Sequence, residues 1–212
     1  MNNTGYILLI NGSIRGNIGN SGVLSKYATE IINGAGKNVH LLTLAESMPS
    51  ISEVLKIVEN ASAILAITGN YWGSSGSVMQ RFIEVMTPFE NTSAFWGKPF
   101  SVCVSIDSVG GTDVASNLHA AFSGLGCWSP PCSTVIVSRV GNEAIAASVH
   151  LDGSPNDDVW RKEDLNVLLE NLIIASNIGA PWKPWPYRKL KKASGEWPTN
   201  CILDLGNEVF IN

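Results

Sequence analysis

The sequence predicts an α/β protein: a doubly wound, five-stranded parallel sheet followed by a C-terminal extension. Three observations carry this. Short apolar runs alternate with amphipathic stretches over the first 180 residues, the pattern of repeated strand–helix units joined by right-handed crossovers. The run Ala61–Ile67 is apolar nearly throughout, as a central parallel strand buried on both faces requires. Three glycine-rich polar loops each follow a strand and precede a helix, after the first, third and fourth strands. In the strand order 2-1-3-4-5 those strand ends are neighbours, at the switch point where such sheets bind ligands.

The first strand, Ile7–Ile10, breaks off into Asn11-Gly12-Ser13-Ile-Arg15-Gly-Asn-Ile-Gly19-Asn20-Ser21-Gly22, and helical sequence runs from about Val23 to Asn33. A strand entering a helix N-terminus makes an anion site, because free backbone N–H groups and the positive end of the helix dipole face the loop. Gly12, Gly16, Gly19 and Gly22 let the chain curl close to a ligand. Ser13, Asn20 and Ser21 supply side-chain donors, and Arg15 offers a planar fork for two phosphate oxygens. The spacing is neither G-x-G-x-x-G nor a loop closed by Gly-Lys-Ser/Thr. It suits a terminal phosphate held without a metal-organising lysine.

The next elements follow in order. Asn38–Leu44 reads as a strand with His40 on its surface, and Ser52–Glu59 as a helix that a serine can cap. Ala61–Ile67 opens into Thr68-Gly-Asn70-Tyr71-Trp72-Gly73-Ser-Ser-Gly76, where adjacent aromatics before a helix suit a planar ligand. That helix, Ser77 to about Met86, places Val78, Phe82 and Val85 on one side and Arg81 at its solvent edge. Trp96–Pro99 is a turn and Phe100–Ile106 a buried strand. The third loop, Ser105-Ile-Asp107-Ser-Val-Gly110-Gly111, brings backbone N–H groups toward a ligand edge, then leads into a helix over Thr112–Leu125. Gly124-Leu-Gly126 ends that helix, and Ser133–Ser138 is the fifth strand. Residues 140–158 are polar and irregular, with Asp157 and Asp158 read as solvated loop carboxylates. Lys162–Ile178 is a long amphipathic helix.

Composition narrows the function. The chain has 14 basic and 18 acidic residues, a net charge of −4. That supports neither a nucleic-acid partner nor the strongly acidic surface of a dedicated electron carrier. The four cysteines, at 103, 127, 132 and 201, form no C-x-x-C pair, so no metal or iron–sulfur site is expected. No secretory leader or membrane-length apolar run is present, which predicts a cytoplasmic protein with no membrane partner. Residues 1–180 form the predicted domain. The tail, 181–212, contains Pro181-Trp-Lys-Pro-Trp-Pro186, the basic run Lys189–Lys192 and three of the seven tryptophans. That much aromatic surface needs covering, by its own domain or by a neighbouring subunit.

These motifs resemble the NAD(P)H-dependent FMN reductases of the flavodoxin-like fold over roughly the first 140 residues. Gly12-Ser13-x-Arg15 with Asn20-Ser21 resembles the family's FMN-phosphate loop. Asn70-Tyr71-Trp72-Gly73-Ser74-x-Gly76, with Arg81 after it, resembles the stretch bordering the isoalloxazine ring. Trp96-x-Lys98-Pro99, then Gly110-Gly111, resembles the third flavin loop. The family often has proline where Gly69 stands and small residues where Asp107 stands. Asp107 either faces the flavin N1 and O2 edge or turns outward to cap the helix at Thr112.

The resemblance implies FMN bound through Ser13, Arg15, Asn20, Ser21, Asn70, Tyr71, Trp72, Gly73, Ser105, Asp107, Gly110 and Gly111. It further implies NADPH or NADH as reductant, a quinone or flavin as small-molecule acceptor, and a homo-oligomer, dimer or tetramer. The flavin performs the chemistry, so no catalytic side chain is expected. Tyr71 and Trp72 would shape entry to the ring. The alternative is a flavodoxin-like electron carrier without NAD(P)H activity of its own, and a third is a scaffold that binds no flavin.

Overall fold

The structure, a computed structural model, describes residues 5–46, 49–138, 140 and 162–184. Within them the chain runs β1 (Tyr6–Asn11), α1 (Asn20–Gly34), β2 (Val39–Thr43), α2 (Ile51–Asn60), β3 (Ala61–Gly69), α3 (Ser77–Met86), β4 (Phe100–Ile106), α4 (Gly111–Leu125), β5 (Thr134–Ser138) and α5 (Lys162–Ala175). The five strands form one parallel sheet in the order β2-β1-β3-β4-β5. This is the doubly wound arrangement that the alternation of runs predicts, in the strand order that the flavodoxin-like resemblance implies.

Strand alternation feeds two cores. Leu8, Ile10, Ile64, Ala66, Val102 and Val104 point to one face, where Val54 and Val58 of α2, Phe82 of α3 and Phe122 of α4 cover them. The residues between them, Ile7, Leu9, Ala63, Leu65, Ile67 and Cys103, point to the other face against Leu24, Ala28 and Ile32 of α1 and Leu165, Leu168 and Leu172 of α5. All nine residues of β3 are buried, as its central position demands. Phe100 and Phe122 stack with ring centroids 4.0 Å apart, which pins α4 to the start of β4.

Several boundaries differ from the sequence reading, each for a local reason. Helix α1 starts at Asn20, about three residues before Val23, because loop polar residues are tolerated in a first turn whose N–H groups need no partner in the helix. Ser50, ahead of the expected serine, caps α2. Its side chain accepts from Glu53 N–H while the Glu53 carboxylate accepts from Ser50 N–H, a full capping box. Helix α5 ends at Ala175, and looser turns continue to Ile178. Arg81 is half-buried, with Nε and Nη2 shielded from solvent, instead of lying at the solvent edge.

At the foot of the sheet, opposite the loops, buried Lys98 donates to the Val58 and Glu59 carbonyls at 2.6 and 2.7 Å. It thereby satisfies the C-terminal end of α2. Trp182 lies beside Gly97, so the first tail residues run along their own domain. The expected irregular stretch at 141–158 and the tail from 185 to 212 lie outside the described residues.

Candidate functional site

The first loop is shaped by a buried amide. Asn11, fully buried at the end of β1, donates through Nδ2 to the Gly16 carbonyl at 3.1 Å and accepts the Ser13 N–H at 3.2 Å through Oδ1. These bonds turn the chain at Gly16, whose φ of +53° suits glycine. Asn17 accepts from Thr43 Oγ1 at 3.1 Å and donates to Glu46 at 2.6 Å, mooring the loop to the end of β2. Gly22 passes directly beneath it. A Cβ there would sit 2.2 Å from the Asn17 carbonyl oxygen.

Helix α1 then begins with Gly19 as N-cap, no side-chain cap bond and no acidic residue in its first turn. Its first N–H groups and dipole are left to the loop. Ser13 and Ser21 are buried at 3% and 1% exposure, while Arg15 and Asn20 are exposed beside them. A buried hydroxyl pair, an uncapped helix start and an exposed cation suit a phosphoryl group.

Thr68, fully buried near the end of β3, ties the second loop to the first. Its Oγ1 donates to the Gly12 carbonyl at 3.1 Å and accepts the Gly76 N–H at 3.3 Å. Gly76 passes so close that a Cβ would come within 2.4 Å of the Gly12 oxygen. Between them Tyr71 and Ser74 exchange backbone bonds of 2.8 and 3.1 Å around Trp72 and Gly73, whose φ values are +55° and +80°. Trp72 stands at the tip, fully exposed, whereas Tyr71 is half-buried with its hydroxyl 3.0 Å from Ser13 Oγ. Tyr71 also lines a cleft of ≈ 450 Å³ with Ile14, Ser74, Ser75, Ser77 and Gln80.

Asn70 joins the second loop to the third. Its N–H donates to the Ser105 carbonyl at 3.0 Å, its Oδ1 accepts the Gly73 N–H at 2.8 Å, and its Nδ2 donates to the Val109 carbonyl. Gly110, at φ +88°, is the N-cap of α4, and a Cβ on it would meet Asn70 Nδ2 at 2.7 Å. Gly111 is buried against Ile106 and Ile136. Asp107 is exposed, and its carbonyl accepts from Ser138 Oγ at 3.0 Å. No side chain caps α4, so Asp107 does not take the capping role that was part of one of its two expected places.

The structure thus brings all three loops into one crevice at the carboxyl ends of β1, β3 and β4. Two residues that organise it, Asn11 and Thr68, escaped the sequence reading. Their signal was a polar side chain closing an apolar run, easily taken for the start of the loop. Among the described residues no group of three histidine, cysteine, aspartate or glutamate side chains could hold a metal.

A flavodoxin-like sheet with a phosphate-suited first loop, and two further loops meeting it at the switch point, defines the class: a flavin-fold protein. Sequence comparison gives the family. The NADPH-dependent FMN reductase model matches residues 6–142, and the chain belongs to that family. Its cofactor is FMN and its reductant NAD(P)H.

Solved structures share the fold at low identity. RosB with bound 8-demethyl-8-formylriboflavin-5'-phosphate superposes with a TM-score of 0.66 at 10% identity, covering 90% of this chain and 99% of that one. FerB, the flavoenzyme NAD(P)H:(acceptor) oxidoreductase from Paracoccus denitrificans, gives 0.57 at 15%, covering 82% and 96%. The NADH:FMN oxidoreductase EMOB in its apo form gives 0.58 at 15%, covering 81% and 89%. No curated protein matches the chain by sequence.

The residues present fit FMN. The first loop offers an uncapped helix start with no carboxylate in its first turn, so no charge of that turn opposes a phosphate.

Proposed function

We propose that this protein uses FMN to carry electrons from NAD(P)H to a small-molecule acceptor such as a quinone or a second flavin. The observation that carries this reading is the chemistry of the side chains that brace the three loops. The buried polar ones, Asn11, Ser13, Ser21, Thr68 and Ser105, are amides and hydroxyls, and none ionises near neutral pH. Such a set shapes a cofactor site but supplies no acid, base or charged nucleophile.

When bound, FMN accepts a hydride and releases electrons one or two at a time. The chain's own part is placement. Ser13, Arg15, Asn20 and Ser21 hold the phosphate end. Asn70, Gly73, Ser105, Gly110 and Gly111 set the backbone around the ring, and exposed Trp72 forms the rim that a reductant or acceptor passes. Asp107, exposed at the same rim, adds a negative charge near the ring edge.

We read the protein further as a cytoplasmic homo-oligomer. None of the described helices is long and apolar enough to cross a membrane. Ile14, Ile18, Trp72 and Val109 stand exposed on the three loops, an apolar rim that a neighbouring subunit would cover.

The test is an absorbance spectrum of the purified protein, repeated anaerobically with NADPH and then with a quinone. Flavin bands that bleach with NADPH and return with the quinone support the proposal. Bands that persist with NADPH and with NADH would make the protein a carrier served by another reductase. No uptake of added FMN would remove the flavin reading altogether.

A further inference from the structure

Tyr71 is held in an unusual way for a residue expected only to border a flavin ring. The reciprocal bonds between Tyr71 and Ser74 close a two-residue turn with positive φ at Trp72 and Gly73, the geometry of a type I′ hairpin turn. The backbone at Tyr71 is therefore fixed, and with it the direction of its Cα–Cβ bond. The ring lies across two glycines. A Cβ at Gly69 would be 3.2 Å from Tyr71 Cε2 and 3.4 Å from its hydroxyl, and one at Gly76 would be 3.4 Å from Cε2. This path delivers the phenol to Ser13, with the two oxygens 3.0 Å apart.

Ser13 has little freedom left. Its N–H is taken by Asn11 Oδ1 at 3.2 Å, and its Oγ accepts the Arg15 N–H at 3.3 Å. The Ser13 and Tyr71 hydroxyls carry two protons between them, and their mutual bond uses one. One O–H donor remains. Ser13 is 3% exposed while Tyr71 is only half-buried, so the Tyr71 end of the pair is the more open one, at the cleft that Tyr71 lines with Ile14 of the first loop.

Resting on the FMN reading above, we propose that Tyr71 and Ser13 act as one donor pair toward the cofactor's phosphate, with the phenol as the outward donor. Tyr71 then belongs to the phosphate end of the site as well as the ring end. It makes the site select the phosphorylated flavin over riboflavin. Gly69 and Gly76 serve this role by leaving the ring its path, and the pair links loading of the first loop to the placement of the second.

The experiment is a fluorescence titration of the apoprotein with FMN and, separately, with riboflavin. Tyr71→Phe keeps the ring and removes only the hydroxyl. The expected result is an FMN dissociation constant about tenfold higher, as for loss of one bond to a charged acceptor, with riboflavin binding unchanged. Equal weakening of both flavins would reduce Tyr71 to a wall of the ring pocket and overturn the proposal, as would no change in either.

Ser13→Ala and the double variant complete a cycle. Tyr71→Phe should matter markedly less to FMN once Ser13 is alanine, and strictly additive effects would refute the pair. A parent protein that binds neither flavin would instead sink the cofactor reading itself. Circular dichroism of each variant separates lost binding from lost fold.

Discussion

The hydroxyls of Ser21 and Ser105 lie 3.4 Å apart, joining the first turn of α1 to the end of β4 across 84 residues of chain. Both are buried, and Ser105 Oγ also lies 3.5 Å from the Thr68 carbonyl. The contact ties the phosphate-suited loop to the start of the third loop.

Ser105→Ala should lower the unfolding free energy of the apoprotein by about 1 kcal/mol, the usual net worth of a buried hydrogen bond. Urea denaturation without flavin measures it. A change below a few tenths would mean that the contact does not hold the loops.

Arg15→Ala tests the cation of the first loop. Arg15 is exposed, so its loss should leave stability unaltered. FMN affinity should fall by about 1.5–3 kcal/mol, the range for a charge-assisted bond, with riboflavin affinity unchanged. Equilibrium titration of both flavins decides the point, and an unaltered FMN affinity would remove Arg15 from the phosphate site.

Trp72 is an aromatic residue at φ +55° with its side chain fully in solvent. A bulky residue in that region costs on the order of 1 kcal/mol, and no burial offsets it. Asparagine tolerates the conformation and forms the favoured Asn-Gly pair of such turns. Trp72→Asn should therefore stabilise the apoprotein by roughly 0.5–1 kcal/mol while lowering turnover with NAD(P)H. Thermal melts and steady-state kinetics read the two effects separately, and a variant that gained stability with full turnover would show that the exposed ring serves nothing in the reaction.

Buried groups in the sheet and at its foot set an alkaline stability profile. Burial holds the Lys98 amine down to about 8, against its ordinary 10.5. Between those values the unfolded chain binds a proton that the folded chain releases, so stability rises with pH. Burial pushes the Cys103 and Cys127 thiols up to about 12 from 9.0. Above 9 the unfolded thiols ionise while the folded ones keep their protons, and stability falls. Two thiols outweigh one amine, so urea midpoints should rise from about pH 8 to a maximum near pH 9 and then decline. Lys98→Met should abolish the rise and keep the decline.

Much of this was legible in the residues. The apolar run of β3 marked a central strand because only a strand buried on both faces can dispense with polar alternation. The glycines at 12 and 110 marked places where backbone could come close to a ligand. The structure adds close approaches between the loops themselves: the Gly12 carbonyl faces Gly76, and Gly110 faces the Asn70 amide. The cap of α2 was harder to place, because several serines stand near its start and only backbone direction selects Ser50. Asn11 and Thr68 were missed because a polar residue ending a strand looks the same whether it is solvated or buried as a bracket.

The sequence by itself determined the order of elements, the parallel sheet and the family, since periodicity and loop chemistry are properties of neighbours along the chain. Only the tertiary structure decided which side chains face one another across the loops. It joined Ser21 to Ser105 and Tyr71 to Ser13, left α4 without a side-chain cap from Asp107 and partly buried Arg81. Those outcomes depend on strand register and on the path left by absent Cβ atoms, which no local pattern encodes.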